Sequence, residues 1–162
     1  LPGLFEPMDF VTRGQMATFL HRFMDTPEPV DGETPFEDLV EGAFYEEAVH
    51  WLHDAGITTG TSPTTLAPDE FVTRGQMATF LWRMCGEPGA AAPSVFEDVP
   101  EGAYFADAVA WMTELGITTG VLPHKFAPEA SIRRGEMATF LQRLATTPAA
   151  WTEVDPPTVV ES

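Results

Sequence analysis

Apolar residues recur along this chain at the spacing of an amphipathic helix, and one polar phrase stands ahead of them three times. Met16, Phe19, Leu20 and Phe23 fall at i, i+3, i+4 and i+7. Met77, Phe80, Leu81 and Met84 repeat the stripe, as do Met137, Phe140, Leu141 and Leu144, which predicts three helices with one apolar face each. The phrase ahead is Thr12-Arg13-Gly14-Gln15, then Thr73-Arg74-Gly75-Gln76, then Arg133-Arg134-Gly135-Glu136. Thr followed three residues later by Gln is a capping box, in which hydroxyl and amide satisfy orphan backbone donors. Arg13, Arg74 and Arg134 stand 61 and 60 residues apart, so one supersecondary unit is repeated.

A second stripe lies between the copies. Tyr45, Ala48, Val49 and Leu52 in one unit match Phe105, Ala108, Val109 and Met112 in the next, predicting helices over 45–55 and 105–115. Gly56 and Gly116 stop them at the C′ position, where left-handed backbone suits glycine. Phe36-Glu37-Asp38-Leu39 and Phe96-Glu97-Asp98-Val99 open the two full units with a turn, and loops through Gly60 or Gly120 lead to the next Thr-Arg-Gly phrase. No alternating strand pattern of useful length occurs, so the class is all-α, built from helix–loop–helix repeats. A half unit (4–24) and two full units (36–86 and 95–145) form one domain over 1–147. A Pro-rich acidic linker covers 25–35, and a tail over 148–162 reads as mostly extended and pinned by Trp151.

Charge narrows the function. The 162 residues carry 25 acidic against 8 basic side chains, a net of −17, a field that repels nucleic acid. All seven arginines lie in the three repeated helices. Arg22, Arg83 and Arg143 come late in them, where the helix dipole welcomes a cation, and read as structural. The lone Cys85 excludes an internal disulfide. No run of about 18 apolar residues exists, so no segment is expected to span a membrane. A start at Leu1 without methionine or a signal region reads as a processed or trimmed product.

Two features of the phrase fit a helix poorly. Arg at the first helical position opposes the macrodipole, and glycine next to it costs about 0.5–1 kcal/mol relative to alanine. An arginine beside free backbone N–H groups, with no Cβ to obstruct approach, is a local anion receptor. The alternative is that the arginine pairs with an acid of the neighbouring repeat while glycine permits close packing. Trp51 and Trp111 flank the stripe, so they suit either sugar stacking or half-buried packing. Asp38 and Asp98 suit either a groove arginine or sugar hydroxyl, or a cap on the adjacent turn. His50 and His53 share a helix face but have no counterpart in the other unit, where Ala110 and Thr113 stand. No metal site, cofactor or catalytic centre is expected, since no nucleophile is repeated or set in a motif.

Phe-x-Asp-Val, Tyr-x-x-Ala-Val-x-Trp, Gly-Ile-Thr-x-Gly, Phe-x-Pro and Thr-Arg-Gly-Glu, in that order, resemble the S-layer homology (SLH) domain family over residues 4–24, 36–86 and 95–145. The resemblance implies a pseudo-threefold spindle with the second helices bundled at its centre. It implies a non-catalytic cell-surface module of an exported bacterial protein, held to a cell-wall polysaccharide, commonly one carrying ketal-pyruvate, in grooves between repeats. Thr12-Arg13-Gly14, Thr73-Arg74-Gly75 and Arg133-Arg134-Gly135 would line those grooves, with Asp38, Asp98, Trp51 and Trp111 as further candidates. The competing function is a protein–protein assembly module of a surface layer or filament. The first helix of the first repeat is absent, so one groove is expected to be incomplete and the amino-terminal half repeat to meet either an upstream segment or another subunit. Arg133 replaces the capping threonine.

Overall fold

The computed structural model describes residues 6–29 and 33–157. Five α-helices form: α1 (Arg13–Phe23), α2 (Glu46–Asp54), α3 (Arg74–Met84), α4 (Ala106–Glu114) and α5 (Arg134–Ala145). Among the described residues the extended segments make isolated bridges and no strand. The expectations for Leu1–Phe5, and for 30–32 and 158–162 of the linker and tail, lie outside the described residues.

The caps form as their chemistry requires. Thr12 Oγ1 accepts from Gln15 N at 3.2 Å while Gln15 Oε1 accepts from Thr12 N at 3.0 Å. Thr73 and Gln76 do the same at 3.1 and 3.0 Å. At α5 the guanidinium of Arg133 has nothing to accept with, and one bond survives, Arg133 N to Glu136 Oε1 at 3.1 Å. A lost N-cap costs about 1 kcal/mol. The helices α2 and α4 stop at Gly56 and Gly116, both at φ 72°, with Ile57 N and Ile117 N returning to Leu52 O and Met112 O.

Backbone closure gives the domain a threefold order. Val11 N donates to Ile132 O (3.2 Å), Ile132 N to Val72 O (2.9 Å) and Val72 N to Val11 O (2.8 Å), a closed cycle of three fully buried residues. The first two N–H groups of each helix then go to the segment ahead of the next helix. Arg13 and Gly14 donate to Glu70 O and Pro68 O, Arg74 and Gly75 to Ala130 O and Pro128 O, and Arg134 and Gly135 to Asp9 O and Pro7 O. The order is therefore α1 to α3 to α5 and back to α1.

The three second helices contribute to one core, and the first helices pack against them. Met16, Met77 and Met137 share one buried cluster, and the close helix pairs are α1 with α2 and α3 with α4. Each first helix thus packs on the second helix of the preceding repeat. Glycine permits this: a Cβ on Gly14 would lie 2.7 Å from Tyr45 Cδ1, and one on Gly75 would lie 3.0 Å from Phe105 Cδ1. No such helix lies on α5 among the described residues. Ala138 is exposed and Leu141 half-buried there, whereas Ala17, Ala78, Leu20 and Leu81 are fully buried. The tail, expected to be mostly extended, begins with a 3₁₀ turn (Pro148–Trp151) packed on α5. Trp151 donates to Leu144 O at 2.9 Å and stacks on Phe23 at 6.2 Å.

Candidate functional site

Clefts lie where one helix start meets the next helix in the cycle. The first, about 300 Å³, is lined by Arg13 of α1, Gln76, Thr79, Phe80 and Arg83 of α3, the Thr58–Thr61 loop and Tyr104. Its counterpart, about 340 Å³, is lined by Arg74, by Glu136, Thr139, Phe140 and Arg143 of α5, and by Thr118–Val121. In a third, about 370 Å³, Arg134 meets Thr12 and Gln15 beside Met8, Asp9, Phe10 and Phe71. A larger cleft, about 750 Å³, lies under the 87–94 linker against α4. It has no cationic side chain, and its acids Glu87, Glu101 and Asp107 suit no anion.

Local chemistry builds the loop walls. Gly60 adopts φ 87°, and a Cβ there would fall 2.5 Å from Thr65 O, so only glycine fits. Thr58 Oγ1 accepts from Gly60 N at 3.2 Å, and Thr118 Oγ1 from Gly120 N at 3.1 Å. Arg83 and Arg143 donate to Ile57 O and Ile117 O at 3.2 and 3.0 Å, tying each loop to the following second helix. Those two arginines are structural through a carbonyl bond, beyond the dipole effect that the sequence suggested.

The three helix-start arginines differ sharply in their partners. Arg74 keeps only 4% of its side chain exposed. Its Nε donates to Phe126 O at 2.7 Å, its Nη1 pairs with Glu136, and its guanidinium lies 4.8 and 5.5 Å from the Phe126 and Phe140 rings. Burial pulls its pKa below the ordinary arginine value, against the opposing pull of Glu136 and Asp98. Arg13 is almost as buried, at 8%, yet it has one long contact, 3.4 Å to Glu70, whose side chain is 72% exposed. Arg134 carries a buried Nε without a hydrogen-bond partner among the described residues.

Several sequence candidates are spent on structure. The first two N–H groups of each helix start are bonded to carbonyls of the next repeat, so the receptor of free backbone donors is absent, and it is the arginine side chain that faces a groove. Gly14 and Gly75 lie buried under Tyr45 and Phe105, and Gly135 approaches Pro7. Thr12 and Thr73 are caps. Arg133 reaches Met8 O and stacks over Phe10 at 4.5 Å. Asp38 accepts from Leu66 N (2.9 Å) and Ala67 N (2.7 Å), as Asp98 does from Phe126 N and Ala127 N at the same distances. They hold Ala67 and Ala127 at φ 57° and 59°, a conformation disfavoured for a residue with a Cβ. Burial tends to raise the Asp98 carboxyl, but the backbone donors and Lys125 outweigh it, and its pKa lies below the usual 3.8. Trp51 and Trp111 are core residues, 7% and 2% exposed, so neither offers a face for sugar stacking; Trp51 lies against His21 of α1, ring centroids 5.4 Å apart.

Gln76, Glu136, Tyr104 and the Thr58–Thr61 loop were not among the groove residues expected from the sequence. The Gln-to-Glu change was visible there, but which arginine it faces depends on the closure of the cycle. Tyr104 is 59% exposed and packs edge-on against Phe105. Burial raises its phenol pKa; the bond to Thr73 and the charge of Arg13 oppose the rise and Glu129 adds to it. The hydroxyl is neutral at physiological pH and able to donate. Among the described residues, no cluster of three or more His, Cys, Asp or Glu could hold a metal, and no helix is long and apolar enough to cross a membrane.

The model of the S-layer homology domain matches residues 35–78 and 95–138. A cell surface protein of Thermoanaerobacter kivui is 34% identical over 68% of this chain and 15% of its own length. An endoglucanase of Bacillus sp. (strain KSM-635) is 32% identical over 74% of the chain and 12% of its own length. The cellulosome-anchoring protein of Acetivibrio thermocellus is 24% identical over 87% of the chain and 33% of its own length. The chain thus spans a third or less of each of these relatives.

Proposed function

The chain belongs to the S-layer homology domain family, and from that premise we propose that it is a non-catalytic module anchoring a longer protein to the bacterial cell wall. Its ligand is an acidic wall polysaccharide held in the groove between α1 and α3. One observation carries this reading: the Arg13 guanidinium is buried in a polar cleft but, among the described residues, engaged only by a distant, exposed carboxylate. A 3.4 Å pair whose acid is 72% exposed is screened by water and contributes about 0–1 kcal/mol, so a ligand carboxylate can replace Glu70 at little loss and gain a bidentate contact. Thr59 and Thr61 supply hydroxyls, and Tyr104 an aromatic face for a sugar ring. With a net charge of −17, attraction is local rather than long-range. The names of the relatives, a cell surface protein and a cellulosome-anchoring protein among them, support a place at the cell surface.

Co-sedimentation with purified walls tests the reading. Native walls should retain the chain, walls stripped of acidic substituents such as ketal-pyruvate should release it, and Arg13→Ala should lose binding while remaining folded. Equal retention by native and stripped walls would refute the acidic-glycan reading.

A second reading rests on the bare face of α5, where Ala138 is exposed although its counterparts are fully buried. A helix of the α2 and α4 type, from an upstream segment or another subunit, would cover it. Light scattering of the chain with and without upstream sequence distinguishes the two sources. A monomer that gains no stability from the added sequence speaks against both.

A further inference from the structure

The second helices are joined at their starts by the backbone cycle, and their ends are joined by something else. At those ends α1 and α3 release the chain alike. His21 Nε2 lies 2.9 Å from Pro27 O, and Trp82 Nε1 donates to Pro88 O at 2.8 Å. In α5 the matching position is Gln142, and the chain that follows turns inward. Ala150 is fully buried and Trp151 nearly so; Pro157 is buried, and Val154 packs against the core. Trp151 Nε1 donates to Leu144 O of α5 at 2.9 Å, while its ring stacks on Phe23 of α1, centroids 6.2 Å apart. Further on, Glu153 and Val154 cross Gly86, just past α3, where an added Cβ would fall 2.7 Å from Glu153 Cβ. One strap of chain therefore touches the ends of all three second helices.

Resting on the acidic-glycan reading above, we propose that the strap over 148–157 holds the groove between α1 and α3 in its binding shape, with Trp151 as a positioning residue. The groove runs along α3 from Gln76 to Arg83, with Arg13 of α1 across it. The two helices that frame it are not a close pair, since each packs on a first helix instead. Their shared apolar core resists separation but has no direction. Direction comes from the two joints, the backbone cycle at the starts and the strap at the ends. Rods joined at one end only can splay at the other, and an eleven-residue helix is a lever of about 16 Å. Arg83 also holds the Thr58–Thr61 loop through Ile57 O, so movement at this end carries the loop wall with it. A ligand meeting a splayed groove must order these side chains at its own cost. Trp151 is not part of the cleft wall and acts through the helices.

Cys85 reports the strap without any glycan, being fully buried and next in the chain to Gly86, where the strap crosses α3. In the 162-residue chain, Trp151→Ala should speed thiol labelling at pH 8 about tenfold or more through local opening, with the helical circular dichroism kept. Its half-saturation concentration on purified native walls, per folded molecule, should rise about threefold to tenfold, the worth of ordering one or two side chains. Trp151→Phe keeps a ring on Phe23 without the N–H bond and should restore most of both. Val154→Ser loosens the strap at α3 alone, should move both readouts the same way, and serves if Trp151→Ala does not fold. Phe96→Leu alters a buried residue outside this groove's lining; it should lower Tm and leave wall affinity unchanged. Labelling of Cys85 in Trp151→Ala and Val154→Ser as slow as in the unaltered chain would overturn the strap. Faster labelling with unchanged wall affinity, or equal weakening in Phe96→Leu, would overturn its hold on the groove while acidic-glycan binding stands. Equal retention of the unaltered chain by native and stripped walls would instead refute the acidic-glycan reading, and Cys85 labelling would still judge the strap.

Discussion

Arg13 and Arg74 occupy equivalent positions in the sequence and should behave oppositely when truncated. Arg74→Ala removes a charged bond to Phe126 O, worth about 1.5–3 kcal/mol. It also removes two ring contacts of about 0.5–1 kcal/mol each. The pair with Glu136 adds at most about 1 kcal/mol, because that carboxylate is 32% exposed and water can solvate it once the arginine is gone. These losses total about 2.5–6 kcal/mol, and relief from burying a guanidinium offsets part of that, leaving a net loss of about 2–4 kcal/mol. Arg13→Ala loses a single 3.4 Å contact to an exposed acid and should cost about 1 kcal/mol or less. Urea unfolding followed by tryptophan fluorescence measures both, and in a domain of this size each kcal/mol corresponds to about 2–4 °C in Tm. Wall binding per folded molecule should show the reverse, lost in Arg13→Ala and kept in Arg74→Ala. Equal losses of stability in the two variants would refute the view that one arginine is a strut and the other a receptor.

Gly14→Ala should destabilise by about 1–3 kcal/mol despite better helix propensity, since its Cβ would meet the Tyr45 ring at 2.7 Å. Gly135→Ala, whose nearest neighbour is Pro7 O at 3.2 Å, should lose less, and thermal unfolding of both checks the order. Burial pushes the fully buried Cys85 thiol up to about 12, so alkylation at pH 8 should occur only in denaturant; rapid labelling of the native chain would contradict its placement. The Asp98 carboxyl has a folded pKa below 3.8, so protons favour the unfolded chain. Its contribution is fully present above about pH 4 and is lost as pH falls through the lower folded value. The stability gap between the unaltered chain and Asp98→Asn should therefore narrow in that acid range, and a gap that widens there would be the wrong sign.

What the sequence determined by itself was local. The Met, Phe and Leu stripes, the Thr-x-x-Gln caps and the stops at Gly56 and Gly116 involve groups within a few residues of one another, so spacing alone defines them. The motifs also identified the family and with it the clefts between repeats. The tertiary structure decided what each candidate faces. The N–H groups of Arg13 and Gly14 look free from the sequence, but their acceptors, Glu70 O and Pro68 O, come from the next repeat. Trp51 and Trp111 look half-exposed on their own helices and become core in the folded domain, Trp51 against His21 of the second helix of the repeat before. Arg74 and Glu136, 62 residues apart, meet only because three Val and Ile backbones close a cycle. A repeat period establishes that the units are alike, whereas burial and charge pairing depend on which neighbour each unit has. A single Gln-to-Glu difference therefore acquires its meaning from the groove opposite.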